Sequence, residues 1–182
     1  SWLGVEASSL AFGLNFDPVD LKVTNGTLAL NQASNETNVN WSGLSLDLGV
    51  DVDDNGNNEI VALNVAAAVN LSVSGDANIN FDDLLNVDGS FTLVQQKVTN
   101  EVFGHNADTA FGTDAKALIL NLTVAVDGGS ASASGTLELI RVSNDTDSWL
   151  GVEASDLSFG LDLDPVTLAV TKGTLALNQS SK

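Results

Sequence analysis

The chain has 182 residues, with 24 acidic side chains against 6 Lys and Arg and a net charge of −18. That balance excludes nucleic acid and anionic membrane surfaces as partners, because both are gripped through Lys and Arg. Cysteine is absent, which excludes a disulfide framework and thiolate chemistry, while 43% apolar residues are enough to bury a core.

Residues 1–34, SWLGVEASSLAFGLNFDPVDLKVTNGTLALNQAS, return at 148–181 as SWLGVEASDLSFGLDLDPVTLAVTKGTLALNQSS, with 26 of the 34 positions identical. An internal repeat of this kind governs the architecture before any single element does. The expected organisation is a partial copy over 1–34, the remainder of a 147-residue unit over 35–147, and the start of a second copy over 148–182. A shorter motif recurs inside the unit: GTLAL at 26–30, GSFTL at 89–93, GTLEL at 135–139 and GTLAL at 173–177. The unit therefore reads as about three irregular copies of a smaller β element.

In chain order, the first element ends at Asp17-Pro18, where Pro fixes φ and removes a donor, so a strand-ending turn is expected there and again at Asp164-Pro165. Asn25-Gly26 is a hairpin-turn signal, as are Asp88-Gly89 and Asp127-Gly128-Gly129, because these pairs accept positive φ. Residues 31–41 are expected as a short excursion. Leu44, Leu46, Leu48, Val50 and Val52 alternate with polar residues and predict a strand. A second alternating run from Val61 to Val73, a third from Leu118 to Val126 and a fourth from Leu157 to Leu163 predict further strands. Residues 95–116, which hold His105, the only histidine, are expected as a long excursion. One face of each strand is aliphatic and the other polar. The fold class is all-β, an elongated repeat architecture of long, mainly antiparallel strands, sandwich-like or solenoid-like, with little or no helix.

Asp51, Asp53 and Asn55, followed by Gly56, match the first half of a calcium-binding loop, whose hard ion takes six to eight oxygens. The second half departs from the pattern, since Ala62 stands where a Glu would complete it, and a polar hairpin tip is the competing reading. Trp41 and Trp149, with Trp2, are candidates for stacking on sugars, or for capping the core under a loop. Among seven N-x-S/T sequons, Asn35, Asn40 and Asn144 fall in expected loops and are the glycosylation candidates. Catalysis has no foothold: there is no G-x-S-x-G elbow, no H-E-x-x-H and no phosphate loop.

Val87-Asp88-Gly89-Ser90-Phe91-Thr92-Leu93, and Trp149-Leu150-Gly151-Val152-Glu153-Ala154 through Gly160-Leu161, give the chain a pattern that resembles the very long repetitive surface proteins of bacteria. The resemblance implies an exported adhesin or filament protein, extracellular or on the cell surface, with β repeats often stabilised by calcium and with no catalytic residues. The expected partners are neighbouring repeats or identical subunits in a fibre, with a glycan or cell-surface target. The alternatives are a filament subunit that polymerises by strand donation and a carbohydrate-binding β module.

Overall fold

The computed structural model describes residues 1–16, 19–34, 37–47, 49–51, 53–81, 85–99, 110–112, 114–128, 131–163 and 166–181. Eight long strands form one sheet: β1 (Trp2–Phe16), β2 (Val19–Ala33), β5 (Val69–Phe81), β6 (Leu85–Lys97), β7 (Lys116–Asp127), β8 (Ala131–Ser143), β9 (Ser148–Leu163) and β10 (Val166–Ser181). A small hairpin, β3 (Ser45–Asp47) with β4 (Ile60–Ala62), is inserted between β2 and β5. The order across the large sheet is β1-β2-β5-β6-β7-β8-β9-β10, with every neighbouring pair antiparallel. Helical backbone among the described residues is confined to Ala110 and Phe111.

The all-β, long-stranded, antiparallel expectation holds. The sheet does not close into a barrel, because its edge strands β1 and β10 do not pair with each other among the described residues, and it is not a solenoid, because its neighbouring strands are antiparallel whereas a solenoid stacks parallel rungs. Nor do the eight strands split into two facing sheets.

The alternation of side chains explains the sheet. Ala7, Leu28, Val73, Leu93, Leu120, Leu139, Val152 and Leu177 are partners in one row that crosses all eight strands. The adjacent row is Thr27, Ser74, Thr92, Asn121, Glu138, Glu153 and Ala176. Successive side chains of a strand point to opposite faces, so one face is aliphatic and the other mostly polar.

Two of the expected hairpin turns lie elsewhere. Asn25-Gly26 is inside β2, where the register slips against both β1 and β5. Asn25 takes φ of 53°, the left-handed conformation its sequence signalled, but uses it in a β-bulge. Ser9 on β1 has φ of 56° in the facing irregularity. The reason lies in the pattern. The apolar positions Leu3, Val5 and Ala7 change phase to Leu10, Phe12 and Leu14, and only an extra residue keeps both sets on one face. Asp88-Gly89 is likewise inside a strand, with Gly89 opposite Ala77 and Val124. Glycine is required there by close approach, since a Cβ would stand 2.6 Å from the Thr123 carbonyl oxygen. The Asp127–Gly129 signal does mark the β7–β8 connection, where Gly128 N–H donates to the Ala131 carbonyl at 2.9 Å. Asp17-Pro18 and Asp164-Pro165 fall outside the described residues, between strands that end at Phe16 and Leu163 and resume at Val19 and Val166.

The expected strands at 44–52 and 61–73 are mostly off the sheet. The first contributes only β3, and the second contributes β4 and the start of β5. The expected excursion at 31–41 begins later, because β2 runs on to Ala33, and it extends to residue 68. The second excursion runs from the end of β6 to the start of β7, and His105 lies outside the described residues.

Both 34-residue copies form the same hairpin. β9 and β10 repeat the two slips of β1 and β2 at the matching positions, with Leu157 opposite Gly173 as Leu10 is opposite Gly26. Asp156 and Lys172 take φ of 52° and 58°, as their counterparts Ser9 and Asn25 do. The short G-x-apolar-x-Leu motif lies on β2, β6, β8 and β10, the second strand of each long hairpin.

Substitution of Gly89 is expected to separate close approach from mere strand propensity. Gly89→Ala should cost about 1–3 kcal/mol in a denaturant melt, as overpacking does. Gly13→Ala, whose Cβ would lie 3.6 Å from the nearest atom, should change stability by less than about 0.5 kcal/mol.

Candidate functional site

The side chains that the fold organises most tightly lie on the polar face, where the two excursions land. Asn31 on β2 is fully buried. Its Nδ2 donates to the Val39 carbonyl at 2.8 Å and the Ala66 carbonyl at 3.2 Å, and its Oδ1 accepts the Trp41 indole N–H at 3.0 Å. A buried amide is tolerable only when it is paired in this way. Gly4, opposite Asn31, makes room for the indole: a Cβ at Gly4 would stand 2.7 Å from Trp41 Cε2. Glu6 accepts the Asn64 N–H at 2.8 Å, and the Trp41 N–H donates to the Val65 carbonyl at 2.9 Å. Gly4, Glu6 and Asn31 are thus the footing on which residues 37–68 stand.

Trp41 is half-buried in that footing, with both its indole face and its N–H engaged. Trp149 is half-buried under the second excursion, edge-on to Phe111 at 5.0 Å and 76°. Phe111 and Trp149 pack against the cluster of Val98, Ala115, Ala117 and Val142, together with Ile119 and Ile140. Trp2, the counterpart of Trp149, is 54% exposed, and its Nε1 donates to the Thr37 carbonyl at 3.0 Å.

Asn144 organises the β8–β9 turn. Its Oδ1 accepts the Thr146 N–H at 2.9 Å and the Asp147 N–H at 2.7 Å. Its Nδ2, the atom a glycan would occupy, donates to the Phe111 carbonyl at 2.8 Å. Asn40 is exposed and its Oδ1 accepts the Ser42 N–H, a local turn. Asn35 lies outside the described residues.

Asp51, Asp53 and Asn55 sit at the tip of the β3–β4 hairpin. Carboxylate oxygens of Asp51, Asp53 and Glu59 lie within 4.8 Å of one another. The Asp51 carboxylate accepts the N–H groups of Asn55 at 3.0 Å and Gly56 at 2.6 Å. The Asn55 Oδ1 accepts the Asn57 N–H at 3.0 Å. These contacts fold the tip through its own amides, as Asp and Asn commonly do in turns.

The aliphatic face carries the other notable feature. Leu14, Phe12, Leu118, Phe159, Leu168 and Leu175 on that face are between 38% and 58% exposed. The accessible surface of the chain is 11981 Å², whereas a compact monomer of this mass exposes about 8300 Å². In projection the sheet face spans about 1600 Å², from eight strands about 4.8 Å apart and 13 residues rising about 3.3 Å each.

Comparison with protein-family models, curated proteins and solved structures finds no match for the chain.

Asn31 was not singled out by its sequence, though one signal marked it: it follows the alternating Leu28 and Leu30 in both copies. The two copies supply an internal control. Asn31→Ala should lower unfolding free energy by about 3 kcal/mol, since three part-buried hydrogen bonds are lost. Asn178→Ala, at the exposed counterpart, should change it by less than about 0.5 kcal/mol. At the other excursion, Asn144→Ala should cost about 2 kcal/mol, and amide exchange should rise at Thr146 and Asp147 before it rises in β5.

Proposed function

We propose that this chain is a structural and adhesive segment of an extracellular fibre or cell-surface repeat protein. One observation supports this reading above the others: an aliphatic face of about 1600 Å² in projection has no cover among the described residues. Exposed apolar patches on soluble monomers rarely exceed a few hundred Å², and larger ones mark contact surfaces. Two such faces packed together would bury an area in the range of permanent assemblies. The repeat extends the same logic, because a duplicated sequence offers the same surface more than once. The high negative charge keeps such an assembly soluble and opposes irregular aggregation. On this reading the excursions, anchored by Asn31 and Asn144, are the exposed elements that meet a cell-surface or glycan target, since loops on a repeat scaffold often carry binding function.

The test is sedimentation and electron microscopy of the 182-residue chain. Ordered assemblies should grow with protein concentration, and more readily as salt rises from about 0.01 M to about 1 M, which screens the like charges. Leu118→Glu, on the aliphatic face, should weaken assembly, while Thr123→Glu, on the polar face, should leave it intact. Compact monomers under all these conditions would contradict the reading.

A further inference from the structure

The two copies of the 34-residue hairpin have nearly the same sequence and the same bulges, but each is covered on one side only. β2 pairs with β5 along its outer edge, while β10, its counterpart, pairs among the described residues with β9 alone. Val23 is 7% exposed and its counterpart Val170 is 50% exposed; Leu28 is half-buried and Leu175 is 58% exposed. Asn31 is fully buried beneath residues 37–68, and Asn178 is exposed. The footing of that excursion, Gly4, Glu6 and Asn31, recurs unchanged as Gly151, Glu153 and Asn178. At the other side the relation reverses. β9 is flanked by β8 and its Trp149 lies under Phe111, while β1 has no outer neighbour among the described residues and Trp2 is exposed.

The geometry of the sheet permits each half to complete the other. Six sheet strands, an even number, separate the start of β1 from the start of β9, so β9 runs in the same direction as β1. The row that starts at Ala7 reaches Val152, the counterpart of Val5. The row that starts at Leu14 reaches Phe159, the counterpart of Phe12. Both rows therefore slip by two residues per repeat, on opposite sides of the bulge. An even slip keeps the aliphatic side chains on one face.

We infer that the outer edge of β10 and the polar-face footing beside it are a docking site for a second copy of residues 36–147 joined in tandem. The added copy of β5 would lie along β10 in the register that β5 holds against β2, placing Val73 beside Leu175 and Ile79 beside Leu168. The added copy of residues 37–68 would stand on Gly151, Glu153 and Asn178, with its Trp41 donating to Asn178. The sheet would then continue without a break, gaining six strands per repeat. This junction rests on the reading of the chain as a repeat segment, and it goes further by naming the strand that each edge accepts.

The test lengthens the intact 182-residue chain by a second copy of residues 36–147 and follows amide exchange in β10. In the 182-residue chain, the β10 amides whose β2 counterparts bond to β5 should exchange at least 100-fold faster than those counterparts. In the lengthened chain the two sets should converge to within about tenfold. Asn178→Ala, silent in the shorter chain, should lower the melting temperature of the longer one by several degrees. Changing Leu71, Val73 and Ile79 to Asp in the added copy alone should restore fast exchange in β10. An added copy that folds apart from β10, or that stays unfolded and leaves the β10 rates unchanged, overturns the inference. So does protection of β10 that requires a second molecule instead of the attached copy. Assembly of the 182-residue chain through its aliphatic face alone, with unchanged β10 rates, would overturn the junction and leave the structural reading standing.

Discussion

Everything in this molecule depends on keeping the aliphatic side chains of eight strands on one face. A strand has a period of two, so a single-residue error in phase would turn half a strand's apolar groups toward water. β1 and β2 both carry such a change of phase in their sequence, between Ala7 and Leu10 and between Val23 and Leu28. Paired bulges at Ser9 and Asn25 absorb it. The same device recurs at Asp156 and Lys172, where neither residue matches its counterpart. The bulge is therefore imposed by the flanking apolar pattern and by the glycine that follows, Gly26 or Gly173, more than by the identity of the residue in the left-handed conformation.

The cost of this arrangement is an uncovered face. A one-layer sheet buries little: Val23, Val65, Val98, Ala115, Ala117, Val142 and Ala154 are the buried apolar residues among those described. Most of them lie where an excursion meets the polar face or where a bulge tightens the sheet. Hairpin pairing and the two anchored excursions give the sheet its order, and its remaining apolar area is a surface for association. The paired environments of the two hairpin copies point the same way, because identical leucines are covered in one and bare in the other.

Much of the fold was legible in the residues. Strict alternation at 118–126 and 157–163 led directly to β7 and β9, and the duplicated segment led to two matching hairpins. The failures have physical causes. Asn25-Gly26 reads as a turn because the local signal for a left-handed residue is the same in a turn and in a bulge. Only the phase of the leucines before and after it distinguishes the two. The alternating runs at 44–52 and 61–73 read as sheet strands throughout because alternation says that a face is apolar, not which surface will cover it. Three residues on each side pair as β3 and β4, while Leu44 and Val65 bond to the Trp41 backbone and Ala66 to Asn31. Asn31 as an anchor is hard to read from the sequence, since its partners are backbone carbonyls 8 and 35 residues away and the Trp41 indole 10 residues away. Trp41 and Trp149 are half-buried where the two excursions meet the sheet, and Trp2 is exposed.

The most direct measurement of the central claim, that one sequence occupies two environments in this sheet, is hydroxyl-radical footprinting of the dilute 182-residue chain. Leu168, Val170, Leu175 and Leu177 should be oxidised several-fold faster than Leu21, Val23, Leu28 and Leu30, which stand in the same local sequence. Equal rates in the two sets would contradict the account, for then β5 would not be covering the edge of β2 that it pairs with in this sheet.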